Sequence, residues 1–261
     1  MSATRIRHVG IAVLALVVAP LAMSAQAQRG RGGPAAPATP KLQAPIDLTG
    51  YWVSVVTEDW RYRMVTAPKG DHPGLPLSAE GNRVANAWDP AKDEAAGEQC
   101  KAYGAAGVMR APGRLHITWD ADDVLKLETE AGTQTRVFRF AAAPAAPGEP
   151  SWQGTSVAQW EMSGGGRGRG RGAPQGGSLK VVTTHMRPGY LQKNGVPYGG
   201  NAVLTEYFTR TTEPNGDSWL IVTHIVEDPQ YLSAPFVRST HYKKLSDTPA
   251  PTWTPEPCSA R

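Results

Sequence analysis

The pattern of apolar, β-branched and polar positions marks nine short β-like runs, at 51–57, 114–119, 124–129, 133–140, 151–162, 179–186, 202–211, 218–227 and 236–244. Turn-forming residues bound them, among them Asp120-Ala121-Asp122-Asp123, Ala131-Gly132 and Pro214-Asn215-Gly216-Asp217, which tolerate positive φ or bond to their own backbone. Short strands in series, joined by short reversals, predict an all-β fold: an antiparallel meander closed or nearly closed into a barrel. In 218–227 the set Trp219, Ile221, Thr223, Ile225 opposes Leu220, Val222, His224, Val226. Both faces are largely apolar, which predicts a strand covered on both sides. In 236–244 Phe236, Arg238, Thr240 and Tyr242 share one face, with Val237, Ser239, His241 and Lys243 on the other, and either face can be internal.

Helical spacing is confined to 78–88, opened by a Ser78 cap and stopped at Asp89-Pro90, with a weaker stretch over 91–103. This insertion after the first strand reads as a lid or flank. Three segments have too little to bury: a leader at 28–45 rich in Arg, Gly, Pro and Ala, an Ala/Pro connector at 141–150, and an Arg-Gly tract at 163–177, expected to be a disordered hairpin tip. The folded domain is therefore expected at 46–261. Ahead of the leader, Arg5, Arg7 and His8 precede an apolar run from Val9 to Met23, and Ala25-Gln26-Ala27 follows as a small-x-small cleavage site. Residues 1–27 read as a Sec-type signal peptide cleaved after Ala27, and the expected location is periplasmic or secreted, with no stable membrane span after cleavage.

Composition sharpens the class. The chain is 40% hydrophobic and 19% charged, which excludes a wholly disordered chain, and its 28 glycines and 23 prolines favour strands and turns over a helical bundle. Of 27 basic residues, Arg5 and Arg7 leave with the signal peptide and Arg29, Arg31, Arg167, Arg169 and Arg171 lie in Arg-Gly tracts, so 20 remain in the body against 23 acidic residues. The body is mildly acidic and neither tract carries a stacking aromatic, so no nucleic-acid partner is expected. In an oxidising compartment the two cysteines, Cys100 and Cys258, are read as one disulfide that pins the proline-rich C-terminus to the body.

Two resemblances follow from particular residues. Asp47-Leu48-Thr49-Gly50-Tyr51-Trp52 opens the first strand, and its Gly50-x-Trp52 resembles the glycine-x-tryptophan signature of lipocalins and their calycin relatives. That likeness implies that Trp52 plugs one barrel end and that Arg238 in the last strand packs on it. The segments Ser151-Trp152-Gln153-Gly154-Thr155-Ser156, Leu179-Lys180-Val181-Val182-Thr183-Thr184, Glu206-Tyr207-Phe208-Thr209-Arg210 and 227–236 are similar to a large group of uncharacterised secreted bacterial β-barrel proteins ending in D-P-x-x-(Y/L)-x-x-P. This likeness implies a secreted barrel and brings no chemistry with it.

Candidate chemistry is sparse. Glu206 and His224 sit among apolar neighbours on their strand faces, and a lumen-facing pair would act in proton transfer, with His185 and His241 as further catalytic candidates. No histidine pair has metal-ligand spacing, and no metal or cofactor is required. Trp60-Arg61-Tyr62-Arg63-Met64 alternates aromatic and basic residues just after the first strand, suited to an anionic or aromatic ligand at a barrel mouth, or else to an ordinary rim strand. Together with His116 and Tyr207 these are the ligand-binding candidates. The reading favours a small apolar or amphipathic molecule bound in the barrel; the alternatives are a periplasmic enzyme using the Glu/His centre and a structural envelope protein. Oligomeric state is left open.

Overall fold

The computed structural model describes residues 38–141, 148–162 and 176–261. The expected signal peptide, most of the leader and nearly all of the Arg-Gly tract lie outside these residues. In chain order the elements are β1 (Gly50–Val55), α1 (Trp60–Arg63), α2 (Ala79–Ala87), α3 (Pro90–Ala95), a 3-10 turn (Lys101–Tyr103), α4 (Ala105–Val108), β2 (Arg114–Ala121), β3 (Val124–Thr129), β4 (Gln134–Arg139), β5 (Thr155–Met162), β6 (Gly177–Thr184), β7 (Gly189–Gln192), β8 (Val196–Tyr198), β9 (Val203–Thr212), β10 (Ser218–Glu227) and β11 (Phe236–Lys244). Among the described residues the nine β-like runs are nine strands, closed as β1-β11-β10-β9-β6-β5-β4-β3-β2. The protein is an all-β barrel.

An odd ring cannot be antiparallel throughout. The one departure falls at β4–β5, which pair in parallel through Phe138↔Ser156 and Arg139↔Val157. A parallel neighbour needs a return crossing rather than a tight hairpin, so β4 and β5 are joined by more than a reversal. Gly154, just before β5, has φ +59, where an added Cβ would lie 2.4 Å from the Thr184 carbonyl oxygen.

Alternation sorts side chains as the barrel requires. Leu115, Ile117, Leu125, Leu127, Phe138, Leu179, Val181, Phe208, Leu220, Val222 and Tyr242 point inward and form one core with Trp52. The outward set of β10, Trp219, Ile221, Thr223 and Ile225, is half-exposed, so this strand is covered on its inner side only. The β7–β8 hairpin and α4 close one end with a second core that includes Ala105, Ala106, Leu191, Val196, Tyr198, Leu204, Val226 and Phe236.

Several local expectations are corrected. Ser78 caps α2 by accepting from the Gly81 N–H at 3.0 Å, but 91–103 breaks into α3 and the 3-10 turn. Residues 60–63 form a helical turn rather than a rim strand. Residues 38–45, read as leader, fold against the other barrel end: the Trp160 indole donates to the Pro40 carbonyl at 2.8 Å and the Lys41 N–H to Asp122 at 3.0 Å. Trp52 is buried and donates to the Leu48 carbonyl at 2.9 Å, yet the cations beside its ring are Lys244 at 5.7 Å and Arg210 at 5.8 Å, not Arg238. Register explains this, because Trp52 pairs with Lys244 and Arg238 lies six residues away along β11, about 20 Å at strand rise.

Candidate functional site

Between the two apolar cores runs a polar layer. Arg136 of β4 donates to both oxygens of Glu206 of β9, at 2.8 and 2.5 Å, and to the Thr183 hydroxyl at 3.4 Å. His224 Nδ1 lies 3.2 Å from Glu206 Oε1, and its Nε2 meets the Thr240 hydroxyl at 3.1 Å. Ser156 and Thr183 hydroxyls extend the chain at 2.8 Å. Arg136 and Glu206 are fully buried. Burial alone would raise the Glu206 pKa, but the charge and hydrogen bonds of Arg136, aided by His224, outweigh it and hold the carboxyl at about 2. Burial also lowers the His224 pKa, against the opposing pull of Glu206. A carboxylate held in both oxygens by one guanidinium is a poor proton carrier near neutrality; the arrangement is that of an electrostatic anchor.

The barrel interior is filled. Leu127, Phe138, Leu179, Val181, Phe208, Leu220, Val222 and Tyr242 each expose 0% of their surface, so no water-sized void adjoins them. Concavity is confined to the surface in several recesses, one of them at the mouth. There a recess of about 20 Å³ is lined by Tyr62 and Arg63 from α1, Tyr103 from the 3-10 turn, Arg110 after α4, and Leu191 and Lys193 from the β7–β8 hairpin.

Each lining group is fixed by a nameable contact. Arg63 donates from Nε to the Arg110 carbonyl at 2.9 Å and pairs with Glu58. Arg110 donates to Asp59 at 3.1 Å, and Arg238 shares that same carboxylate oxygen at 3.1 Å. The Lys193 ammonium lies 5.4 Å from the Tyr103 ring centre. Tyr103 is held from below, its carbonyl accepting from the Gln153 amide at 2.8 Å.

The disulfide supports the same wall. Cys100 is bonded to Cys258, tying the start of the 3-10 turn to the C-terminal tail. That tail lies on the β3–β4 turn through Glu256 N–H to the Glu130 carbonyl at 2.8 Å and Thr254 N–H to the Glu130 carboxylate at 2.8 Å.

The candidates named from sequence separate into groups. Tyr62 and Arg63 line the recess. Arg61 turns away to Asp71 at 2.5 Å, and Trp60 is 64% exposed. His116 stacks on Tyr51 at 4.1 Å, and Tyr207 on the outer face lies under the Lys180 ammonium at 5.7 Å. His224 joins Glu206 in the buried layer, whereas His185 sits exposed in the turn after β6 with φ 55 and His241 contacts Glu58 at 3.0 Å. Gly50 begins β1.

Sequence reasoning missed Arg136, Tyr103, Arg110, Leu191 and Lys193. Arg136 was open to detection, since alternation puts it on the face of Phe138. The β7–β8 hairpin carried a signal in Asn194-Gly195, a favoured hairpin dipeptide. Nothing local marks Tyr103 or Arg110. Among the described residues no helix is long and apolar enough to cross a membrane, and no group of three or more His, Cys, Asp or Glu side chains is placed to hold a metal ion. The chain matches no family model, no curated protein and no solved structure.

Proposed function

We propose that the protein is an exported binding protein for a small amphipathic molecule, which it takes at the barrel mouth rather than in the lumen. The observation that carries this reading is the pairing of an arginine-lined recess with an exposed apolar ridge one helical turn away. Trp60, Met64 and Val65 are 64%, 57% and 59% exposed, and Trp60 at the start of α1 and Met64, which caps its end, are four residues apart on one side of the turn. Large apolar side chains left in water beside a polar concavity mark contact sites. Export is part of the proposal and rests on the N-terminal pattern, with the disulfide favouring an oxidising compartment. Kinship with the lipocalins is likewise proposed, on Gly50-x-Trp52 opening a barrel strand.

The test is a titration of the purified protein with decyl-chain amphiphiles, followed by calorimetry. The double variant Trp60→Ala/Met64→Ala should fold normally and bind at least ten-fold more weakly. Equal affinity in the variant, or no binding of any amphiphile by the unaltered protein, would overturn the reading.

A further inference from the structure

The sequence of β10 carries apolar residues on both faces, yet the barrel covers only one of them. Trp219, Ile221, Thr223 and Ile225 point outward and stay half-exposed. Beside them β9 turns out Val203, Tyr207 and otherwise threonine. The two strands pair over ten positions with no outward charge until Glu227 at the end of β10. The opposite wall is different: Arg114, Lys126, Glu128 and Arg139 point outward from β2, β3 and β4. An antiparallel sheet that faces water is normally polar on that side. Depletion of charge with aromatic side chains retained is instead the composition of an interface centre. Thr223 and Ser239 of β11 bond each other at 3.0 Å, so drying the middle of this face leaves neither hydroxyl without a partner.

We infer that the outer face of β6, β9, β10 and β11 is an interface between two copies of this chain, packed sheet on sheet about a two-fold axis. Charge selects the occupant. The cations that flank the face are neutralised on their own chain, Lys243 by Asp217 at 2.8 Å and Lys180 by Glu161 at 3.7 Å. With both signs at the rim and none at the centre, the face has nothing to attract a charged partner and nothing to repel a second copy of itself. The area is sufficient. Ten paired positions run for about 33 Å and four strands span about 19 Å, which gives about 600 Å² per copy and about 1,200 Å² for the pair, the lower end of what a specific interface buries. Val237, paired with Ile225 and 47% exposed, widens the apolar surface on β11, and β-branched side chains of this kind interdigitate when two sheets stack.

The experiment is sedimentation velocity of the full chain across micromolar concentrations. The unaltered protein should pass from one to two copies per particle as the concentration rises. Ile221→Lys/Ile225→Lys places like charges at the centre of the face and should weaken that association about a hundred-fold, with the strand-type circular dichroism of the barrel retained. Thr223→Lys is the companion variant if the double substitution fails to fold, and the same weakening is expected of it. Val137→Lys, on the opposite wall at β4 and 37% exposed in the parent, should leave the association as it was. A parent that remains a single copy at the upper end of the range would overturn the interface. So would a dimer that survives the lysines on β10, or one that Val137→Lys breaks equally.

Discussion

Glu206 has no exposed surface and both of its oxygens are bonded to one guanidinium, so its charge belongs to the fold. Its folded pKa of about 2 lies below the ordinary 4.5. The stability it contributes is therefore complete above about pH 4.5 and is lost as the pH falls toward 2. His224 acts in the same sense: burial lowers its pKa, so the unfolded chain takes up that proton first and stability begins to fall below pH 6.5. Urea unfolding across pH 7 to 2 should show one continuous acid decline. Glu206→Gln should cost about 3–5 kcal/mol at pH 7, because it strands the Arg136 charge, and should flatten the lower part of that decline. A variant as stable as the parent, with the same acid profile, would contradict this.

The strands were legible because a barrel wall selects short β-branched, aromatic and aliphatic runs, several of them alternating, with turn residues between them. The elements that escaped are those for which no period exists. Residues 60–63 alternate aromatic and basic side chains as a strand would, yet four residues cannot separate a strand from one helical turn; Arg63 is instead drawn inward by Glu58 and the Arg110 carbonyl. The parallel β4–β5 pair follows from strand parity, which no single strand records. Glycines test the crossing that this pair requires. Gly154 and Gly216 both have positive φ, but a Cβ at Gly154 meets the Thr184 carbonyl oxygen at 2.4 Å, while at Gly216 nothing lies within 4 Å. Gly216→Ala should cost only the backbone strain of about 1–2 kcal/mol; Gly154→Ala should cost clearly more by chemical denaturation, and equal losses would show that the close approach is of no consequence.

At the scale of the molecule, the C-terminal strap couples stability to the mouth. The disulfide spans a separation of 158 residues, and in the chain-entropy model such a loop is worth about 5 kcal/mol. Cys100→Ser/Cys258→Ser should lose several kcal/mol on unfolding in urea while retaining the strand-type circular dichroism of the barrel. It should also lose affinity at the mouth more than Gly216→Ala does, since Tyr103 and Lys193 depend on the tethered turn; unaltered binding would detach the strap from the site. Hydrophobic period, turn chemistry and cysteine count were enough to establish a β-barrel, its strand membership and a Cys100–Cys258 bridge, because each is a local or pairwise constraint. Whether the barrel is hollow was settled by packing: side chains from all nine strands meet on the axis and fill it, a sum over distant residues that no segment expresses. The pairing of Glu206 with Arg136 and the gathering of Tyr62, Arg63, Tyr103, Arg110 and Lys193 at the mouth belong to the same class. Their separations in sequence are bridged only when strand closure, the hairpin over the mouth and the disulfide fix them together.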